Sequence, residues 1–321
     1  MTMKTVMLGI DIGGTNTVFG FVQKNGNVIA EFSIPTKAKK PADELIKRIK
    51  INVNDFFTKN ADKYKLKGIG VGAPNANYYT GMIESPPNLK WGTFNLAKAI
   101  EKQFKKPVKI TNDANASALG ELLFGAGKGM KNFIIITLGT GLGSGIIIDG
   151  KLLYGKNGFA GELGHVCIDF HGRHCGCGKR GCLECYVSAP GIVRSAIELS
   201  AKRVSNSKIR EIPTEELSAK KLTEIAKKGD KVALETFDYT ARLLGVSLAN
   251  VAMTIGPEAF IICGGLAKSG DLLLKKTKEY MESHLIKNFK NQIKILPTGI
   301  SNGNSAVIGA AALAWNEFLE V

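Results

Sequence analysis

Apolar and polar positions along this chain predict strands and helices in turn. "TVMLGIDIGG" (5–14) is a near-continuous apolar run stopped by glycines, as expected of a buried strand. "NTVFGFVQKNGNVIAEFSI" (16–34) reads as strand, Asn-Gly turn, strand, because Asn-Gly suits the left-handed backbone of a tight hairpin. In "PADELIKRIKINVNDFF" (41–57), Leu45, Ile49, Val53 and Phe56 recur at helical spacing just after Pro41. "LKGIGVGAP" (66–74) predicts a strand, "FNLAKAIEKQF" (94–104) a helix, and "PVKIT" (107–111) a strand running into the helix "NDANASALGELLFGAG" (112–127).

At "KNFIIITLGTGLGSGIIIDGKLLY" (131–154) the opening cadence returns: strand, glycine turn, strand, Asx-Gly turn, strand. Two copies of one pattern are too few for a solenoid. They predict instead a duplicated α/β unit, two related lobes facing each other across a cleft. A third glycine corner, "AFIICGGLAKSGDLLL" (259–274), reads as strand, Gly264-Gly265, helix. The closing "SAVIGAAALAWNEFLE" (305–320) reads as a helix with small residues on one side, suited to close packing on a lobe.

Composition narrows the classes. The chain has 321 residues, room for two lobes, and is 44% hydrophobic with 37 Gly and 10 Pro, the profile of an α/β protein rich in tight turns. No apolar run reaches the ~18 residues of a membrane span. The first residues lack the apolar core and cleavage site of a signal peptide, so a cytoplasmic location is expected. There thiols stay reduced, and clustered cysteines point to metal rather than to disulfides. The net charge of +15 raises nucleic acid as a partner. Against it, the cations are mostly Lys, whereas Arg is the residue suited to bidentate phosphate and base contacts, and they are scattered over predicted helix faces and loops. The basic surface is read as solvation, with a background attraction for an anionic nucleotide.

The glycine corners carry the first chemistry. A strand stopping at "DIGGTNT" presents successive backbone N–H groups, and glycine lets that backbone approach a phosphate. Thr15 and Asn16 add side-chain donors, and Asp11 is an acid able to orient Mg²⁺ through water. No Gly-Lys-Ser/Thr follows, so this is not a Walker A loop, and a strand rather than a helix comes next, which excludes the Rossmann fingerprint. With "LGTGLGSG" and "CGG" as further corners, a phosphate and nucleoside site is the better account. Asn112 and Asp113 sit where a strand gives way to a helix, the end of an α/β sheet at which ligands bind. On local grounds either is equally an N-cap.

The densest stretch is "GELGHVCIDFHGRHCGCGKRGCLEC" (161–185), with three His and five of the six Cys. His165, Cys175, Cys177 and Cys182 have a spacing suited to a closed Cys₃His zinc site, structural because no position stays open for water. His171 or His174 could replace His165, and Cys185 could compete with Cys182. A Cys182/Cys185 redox pair lacks a thioredoxin-like setting. A nucleic-acid finger is disfavoured, since no basic recognition helix follows. Cys167 and Cys263 sit in apolar runs and are expected in the core.

"GIDIGGTNT", "GVGAPN…PPNLKW", "TNDANASALGE", "TLGTGLGSGIIIDGKL" and "GELGH…CGCGKRGCLE" resemble, in this order and over nearly the whole chain, the motifs of the ROK family of sugar kinases and related repressors. The resemblance implies the two-lobed actin-like ATPase (ribonuclease H-like) fold, divided here into a smaller lobe 1–112, with helix 304–321 packing back on it, and a larger lobe 113–303 carrying the zinc loop. It implies an ATP site lined by Asp11, Gly13, Gly14, Thr15, Asn16, Thr137, Gly139, Thr140, Gly141, Gly264 and Gly265, with Mg²⁺. It makes Asp113 the general base, and Gly72, Asn88, Asn112, Asp113, Glu162, His165 and Glu184 the sugar contacts. His165 is then both zinc ligand and sugar contact, through its two ring nitrogens. One departure stands out: Asn75 replaces a glycine of the family's "PGP" loop, a position where Asn still tolerates a left-handed turn.

The expected function is ATP-dependent phosphorylation of a hexose, glucose to glucose 6-phosphate, by a homodimer. N-acetylmannosamine, N-acetylglucosamine, mannose or fructose are the neighbouring substrates. A sugar-responsive repressor is disfavoured, because the stretch before Asp11 is too short for a helix-turn-helix.

Overall fold

The computed structural model describes residues 3–86, 88–300 and 304–318. The chain opens with β1 (Lys4–Ile12), β2 (Asn16–Val22), β3 (Val28–Pro35), α1 (Ala42–Lys59) and β4 (Tyr64–Gly72). Short β5 (Met82–Ile83) and β6 (Phe94–Asn95) precede α2 (Leu96–Phe104), β7 (Val108–Thr111) and α3 (Asp113–Phe124). The second half contains β8 (Phe133–Leu138), β9 (Leu142–Ile148), β10 (Lys151–Leu152), α4 (Glu184–Val187), α5 (Ala189–Lys202), α6 (Ala219–Lys227) and α7 (Lys231–Ile255). It ends with β11 (Ala259–Cys263), α8 (Leu274–His284), β12 (Lys294–Pro297) and α9 (Ser305–Phe318). The predicted helix 304–321 is thus described to residue 318, and 319–321 lie outside the described residues.

By contacts the chain forms two units, one of residues 1–130, 145–160 and 298–321, the other of 131–144 and 161–297. This differs from the expected division at 112/113, because α3 packs against α9 and so joins the first unit.

In the first unit the sheet runs β3-β2-β1-β4-β7. The hairpin strands pair antiparallel, while β4 and β7, which return through helical crossovers, pair parallel. Two-residue alternation along β1 sorts its side chains. Val6, Leu8, Ile10 and Ile12 join Leu45, Ile46, Ile49 and Val53 of α1 and Leu96 and Ile100 of α2. Met7 faces the other way, into a cluster with Val22 and with Val307, Ala311, Ala314 and Trp315 of α9. A Cβ at Gly70 would overlap the carbonyl oxygen of Ala310, so the small-residue side of α9 meets the sheet backbone directly.

The second sheet runs β10-β9-β8-β11-β12, the same 3-2-1-4-5 order as the first, so the duplication is topological as well as rhythmic. β11 pairs parallel with β8 and β12, and β10 antiparallel with β9. The long α7, capped by Asp230 accepting from the Ala233 N–H, buries Val232, Phe237, Ala241, Leu244 and Leu248 at helical spacing. It packs with α5, α6 and α8. After Gly264-Gly265 the predicted helix begins as a 3-10 segment, Leu266–Leu272, interrupted at Gly270 (φ 65°), before α8 takes over.

Candidate functional site

In the first unit the strand ends gather two acids. Asp11 pairs with Gly72, and Gly72 with Thr111, at the carboxyl ends of β1, β4 and β7. A Cβ at Gly72 would lie 3.7 Å from Asp11 Oδ1, 3.7 Å from Asp113 Cα and 3.4 Å from Ala116 Cβ, so glycine gives both acids room. The N-cap of α3 is Asn112, whose Oδ1 accepts the Asn115 N–H at 2.7 Å. Capping and sugar binding are compatible for this side chain, because the cap uses only the oxygen and the Nδ2 amide remains a donor. Asp113 begins the helix, where the dipole favours a carboxylate, and its Oδ1 accepts the Ala114 N–H at 2.9 Å.

Surrounding protein thins the hydration of Asp113 and raises its pKa, opposed by the Ala114 N–H bond. Asp113 as a whole residue is exposed. The half-buried Asp11 is pushed up to about 7, first by desolvation and then by the neighbouring charge of Asp113.

The first glycine turn is closed by Gly13 N–H to Asn16 O at 3.0 Å. Among the described residues the N–H groups of Gly14 and Thr15 have no acceptor, and the Thr15 and Asn16 side chains are exposed. A Cβ at Gly14 would lie 2.9 Å from Asn88 Cβ, which sets the expected sugar residue Asn88 beside the expected phosphate turn. Buried Thr36 escaped the sequence reading. It donates its N–H to Thr15 O at 2.8 Å and its hydroxyl to Gly13 O at 2.7 Å, bracing the turn from behind. Only its place at a strand exit hinted at this. Asn75 adopts φ 53° and ties its loop to Glu84 through Nδ2–H to O at 3.0 Å. The departure from glycine is thereby accommodated.

In the second unit, Gly139 N–H bonds Gly141 O at 3.0 Å, Thr137 Oγ1 accepts the Gly143 N–H at 3.2 Å, and the Ala189 N–H bonds Gly139 O at 2.8 Å. The N–H groups of Thr140 and Gly141 have no acceptor among the described residues. Cys263 pairs with Thr137, and at Gly264 (φ 95°) a Cβ would overlap the Leu138 carbonyl oxygen. The second and third glycine corners therefore end neighbouring strands, and Gly265 opens the 3-10 segment.

The donor atoms of His165, Cys175, Cys177 and Cys182 all lie within 4.8 Å of one another. His165 Nδ1 is 3.6 Å from Cys175 Sγ, and Cys177 Sγ is 3.7 Å from Cys182 Sγ. Sulfurs about 2.3 Å from one tetrahedral ion would be separated by nearly this distance, and three thiols with one imidazole suit zinc. The loop is shaped by main-chain bonds, among them Cys175 N–H to Lys179 O at 2.9 Å and Leu183 N–H to Val166 O at 3.0 Å. His171, His174 and Cys185 lie outside the four-donor set, and all six cysteines are free of disulfides. Cys167 corrects the core expectation: it is exposed, because its strand-like run forms only a single bridge, to Cys182. Cys263 is half-buried.

Glu162 Oε2 lies 4.0 Å from His165 Nε2, the ring nitrogen opposite the one that meets Cys175. Glu184, the first residue of α4, lies against the second glycine turn, where its Oε2 accepts the Leu142 N–H at 2.9 Å.

The chain matches the ROK family model over residues 7–317. It is 38% identical over 314 residues to a glucokinase of Halalkalibacterium halodurans, covering 95% of this chain and 94% of that protein. It is 31% identical to a xylose repressor of Bacillus spizizenii, covering 98% of this chain and 78% of the repressor. Among solved structures it resembles a ROK family glucokinase from Streptomyces griseus in complex with glucose and AMPPNP, with a TM-score of 0.78, 32% identity, and 96% and 98% of the two chains covered. Two five-stranded sheets with one shared strand order, the glycine corners and the Cys/His loop have the same reading as these likenesses: the chain belongs to the ROK family.

Proposed function

We propose that this protein is an ATP-dependent hexose kinase that converts glucose to glucose 6-phosphate, with Asp113 as the general base. The observation that carries the reading is Asp113 at the first turn of α3, beside Asp11 and Gly72 where three strands end. A carboxylate held there by a backbone N–H, with its pKa raised by desolvation, is suited to accept a hydroxyl proton. As the proton moves to Asp113, the sugar oxygen forms its bond to the γ-phosphorus and the bond to the bridging oxygen of ADP breaks.

The N–H groups of Gly14, Thr15, Thr140 and Gly141 are the donors for ATP phosphates, with Gly13, Asn16, Thr137 and Gly139 shaping the turns. Gly264 and Gly265 form the nucleoside corner. Asp11 is the acid that holds Mg²⁺ through water, and the ion supplies charge neutralisation on the phosphates. Asn88, Asn112, Glu162, His165 and Glu184 bind sugar hydroxyls, with Gly72 as a backbone contact. The 4.0 Å between His165 Nε2 and Glu162 Oε2 suits a hydroxyl bonded to both. Zinc held by His165, Cys175, Cys177 and Cys182 keeps the loop in shape and takes no part in the transfer. A homodimer belongs to the same proposal and is read by light scattering.

The test is ADP release, with Mg²⁺ and ATP, over glucose, mannose, fructose, N-acetylglucosamine and N-acetylmannosamine. Highest kcat/KM for glucose is expected. Absence of sugar-stimulated ADP release from protein with bound zinc overturns the kinase reading, and a preference for another hexose overturns only the substrate.

A further inference from the structure

We propose that Glu184 is also a positioning residue for the nucleotide, its carboxylate holding the glycine turn 139–141 in the shape that receives ATP phosphates. The inference rests on reading that turn as a phosphate loop and Glu184 as a sugar ligand, and assigns the same side chain a second task.

Two observations place the carboxylate in the turn's own framework. Its Oε2 accepts the N–H of Leu142, the residue directly after Gly141, at 2.9 Å. A Cβ at Gly141 would overlap that same oxygen, so the carboxylate fills the space that a side chain at 141 would occupy. With the Leu142 N–H consumed, and the Gly139 N–H spent on Gly141 O, the donors left are those of Thr140 and Gly141. Glu184 thus selects which N–H groups a phosphate meets. The opposite oxygen, Oε1, lies 3.9 Å from Cys175 Sγ, on the side of the zinc loop.

Glu184 can brace the turn because its own main chain is held. The Cys185 carbonyl accepts from Arg173 Nη1 at 2.8 Å. The buried Arg173 also donates from Nη1 to Gly191 O at 3.1 Å and from Nη2 to Ser195 Oγ at 3.0 Å and Glu198 Oε2 at 2.6 Å, and lies 4.5 Å over the Tyr186 ring. The helix that begins with Glu184 is therefore fastened to α5, and α5 is fastened to the turn by the Ala189 N–H on Gly139 O. A carboxylate near phosphates also repels them. The inference states that shaping the donors outweighs that repulsion.

The experiment titrates AMPPNP and Mg²⁺ into the zinc-loaded full chain without sugar, and glucose without nucleotide, by calorimetry. Zinc content is measured on every sample. Glu184→Ala is expected to weaken AMPPNP by roughly tenfold or more, the worth of a hydrogen bond to a charged group. Glu184→Gln, which keeps an oxygen acceptor, recovers most of that affinity. Glu184→Asp, which keeps the charge but is one methylene shorter, does not. AMPPNP binding by Glu184→Ala as tight as wild type, or tighter, overturns the inference. Should the alanine variant lose zinc or fail to fold, the other two decide: Asp weaker than Gln supports it, and equal affinities overturn it. The glucose titration reports on the sugar role separately, so either assignment can fail alone.

Discussion

Asp113 and Asp11 share one end of a sheet, and desolvation by the surrounding protein raises the pKa of both. Asp113→Asn keeps the side-chain shape and a carbonyl oxygen for the Ala114 N–H, but cannot take a proton at turnover. Its kcat is expected to fall about 100- to 10,000-fold, with glucose affinity by calorimetry little changed. Near-full turnover would remove Asp113 as the base. Asp11 makes a prediction about stability and its sign is fixed. Its native pKa of about 7 lies above the ordinary carboxylate value of 3.8, so between these values the native state binds more protons than the unfolded one. Stability from this group therefore falls as pH rises through that window. Without Mg²⁺ and nucleotide, urea midpoints should show Asp11→Asn gaining on wild type between pH 5 and pH 8. A constant gap across those pH values would contradict the assignment.

At the scale of elements, the contrast lies between α3 and the loop 161–185. The start of α3 was legible because "KITND" joins an apolar strand to a capping pair, although which member caps was settled only when the Asn112 oxygen was found on the Asn115 N–H. The loop has one 3-10 turn, Leu163–His165, two isolated bridges and the start of α4, and otherwise follows an irregular path tied by main-chain bonds. Bound zinc, as proposed above, would add a constraint linking residues 165, 175, 177 and 182 to these main-chain bonds. Cys177→Ser is expected to lower bound zinc by metal analysis and to raise the glucose KM more than the ATP KM. Chelation should do the same to wild type. Unchanged glucose KM after loss of zinc would separate the loop from the sugar.

Over the whole molecule, the chain passes from the first unit to the second at 130/131, 144/145, 160/161 and 297/298. One buried carboxylate in the first unit ties together residues next to the first and last of these passages. Glu121 accepts the Ala126 N–H at 2.6 Å, the Gly299 N–H at 3.1 Å and the Thr298 hydroxyl. Glu121→Ala would leave these partly exposed donors without their carboxylate and should cost about 1.5–3 kcal/mol, the worth of a hydrogen bond to a charged group, read as a drop in the urea midpoint. An unchanged midpoint would show that water replaces the carboxylate. Glu121 passed unnoticed in the sequence because one acid in an apolar helix has no local signature of its partners, which here are up to 178 residues away. Arg173 and Thr36 were missed for the same reason. By contrast the strand runs, the glycine corners, the repeated cadence and the Cys/His spacing were readable, since each depends on neighbours within a few positions. The sequence by itself determined the α/β class and the duplication, because periodicity and turn chemistry are local properties of a chain. Only the tertiary structure decided that His165 rather than His171 or His174 completes the donor set, that α3 belongs with the first unit, and that Glu184 lies against the second glycine turn. Those outcomes turn on which distant backbone groups are left without a partner when sheets and helices pack.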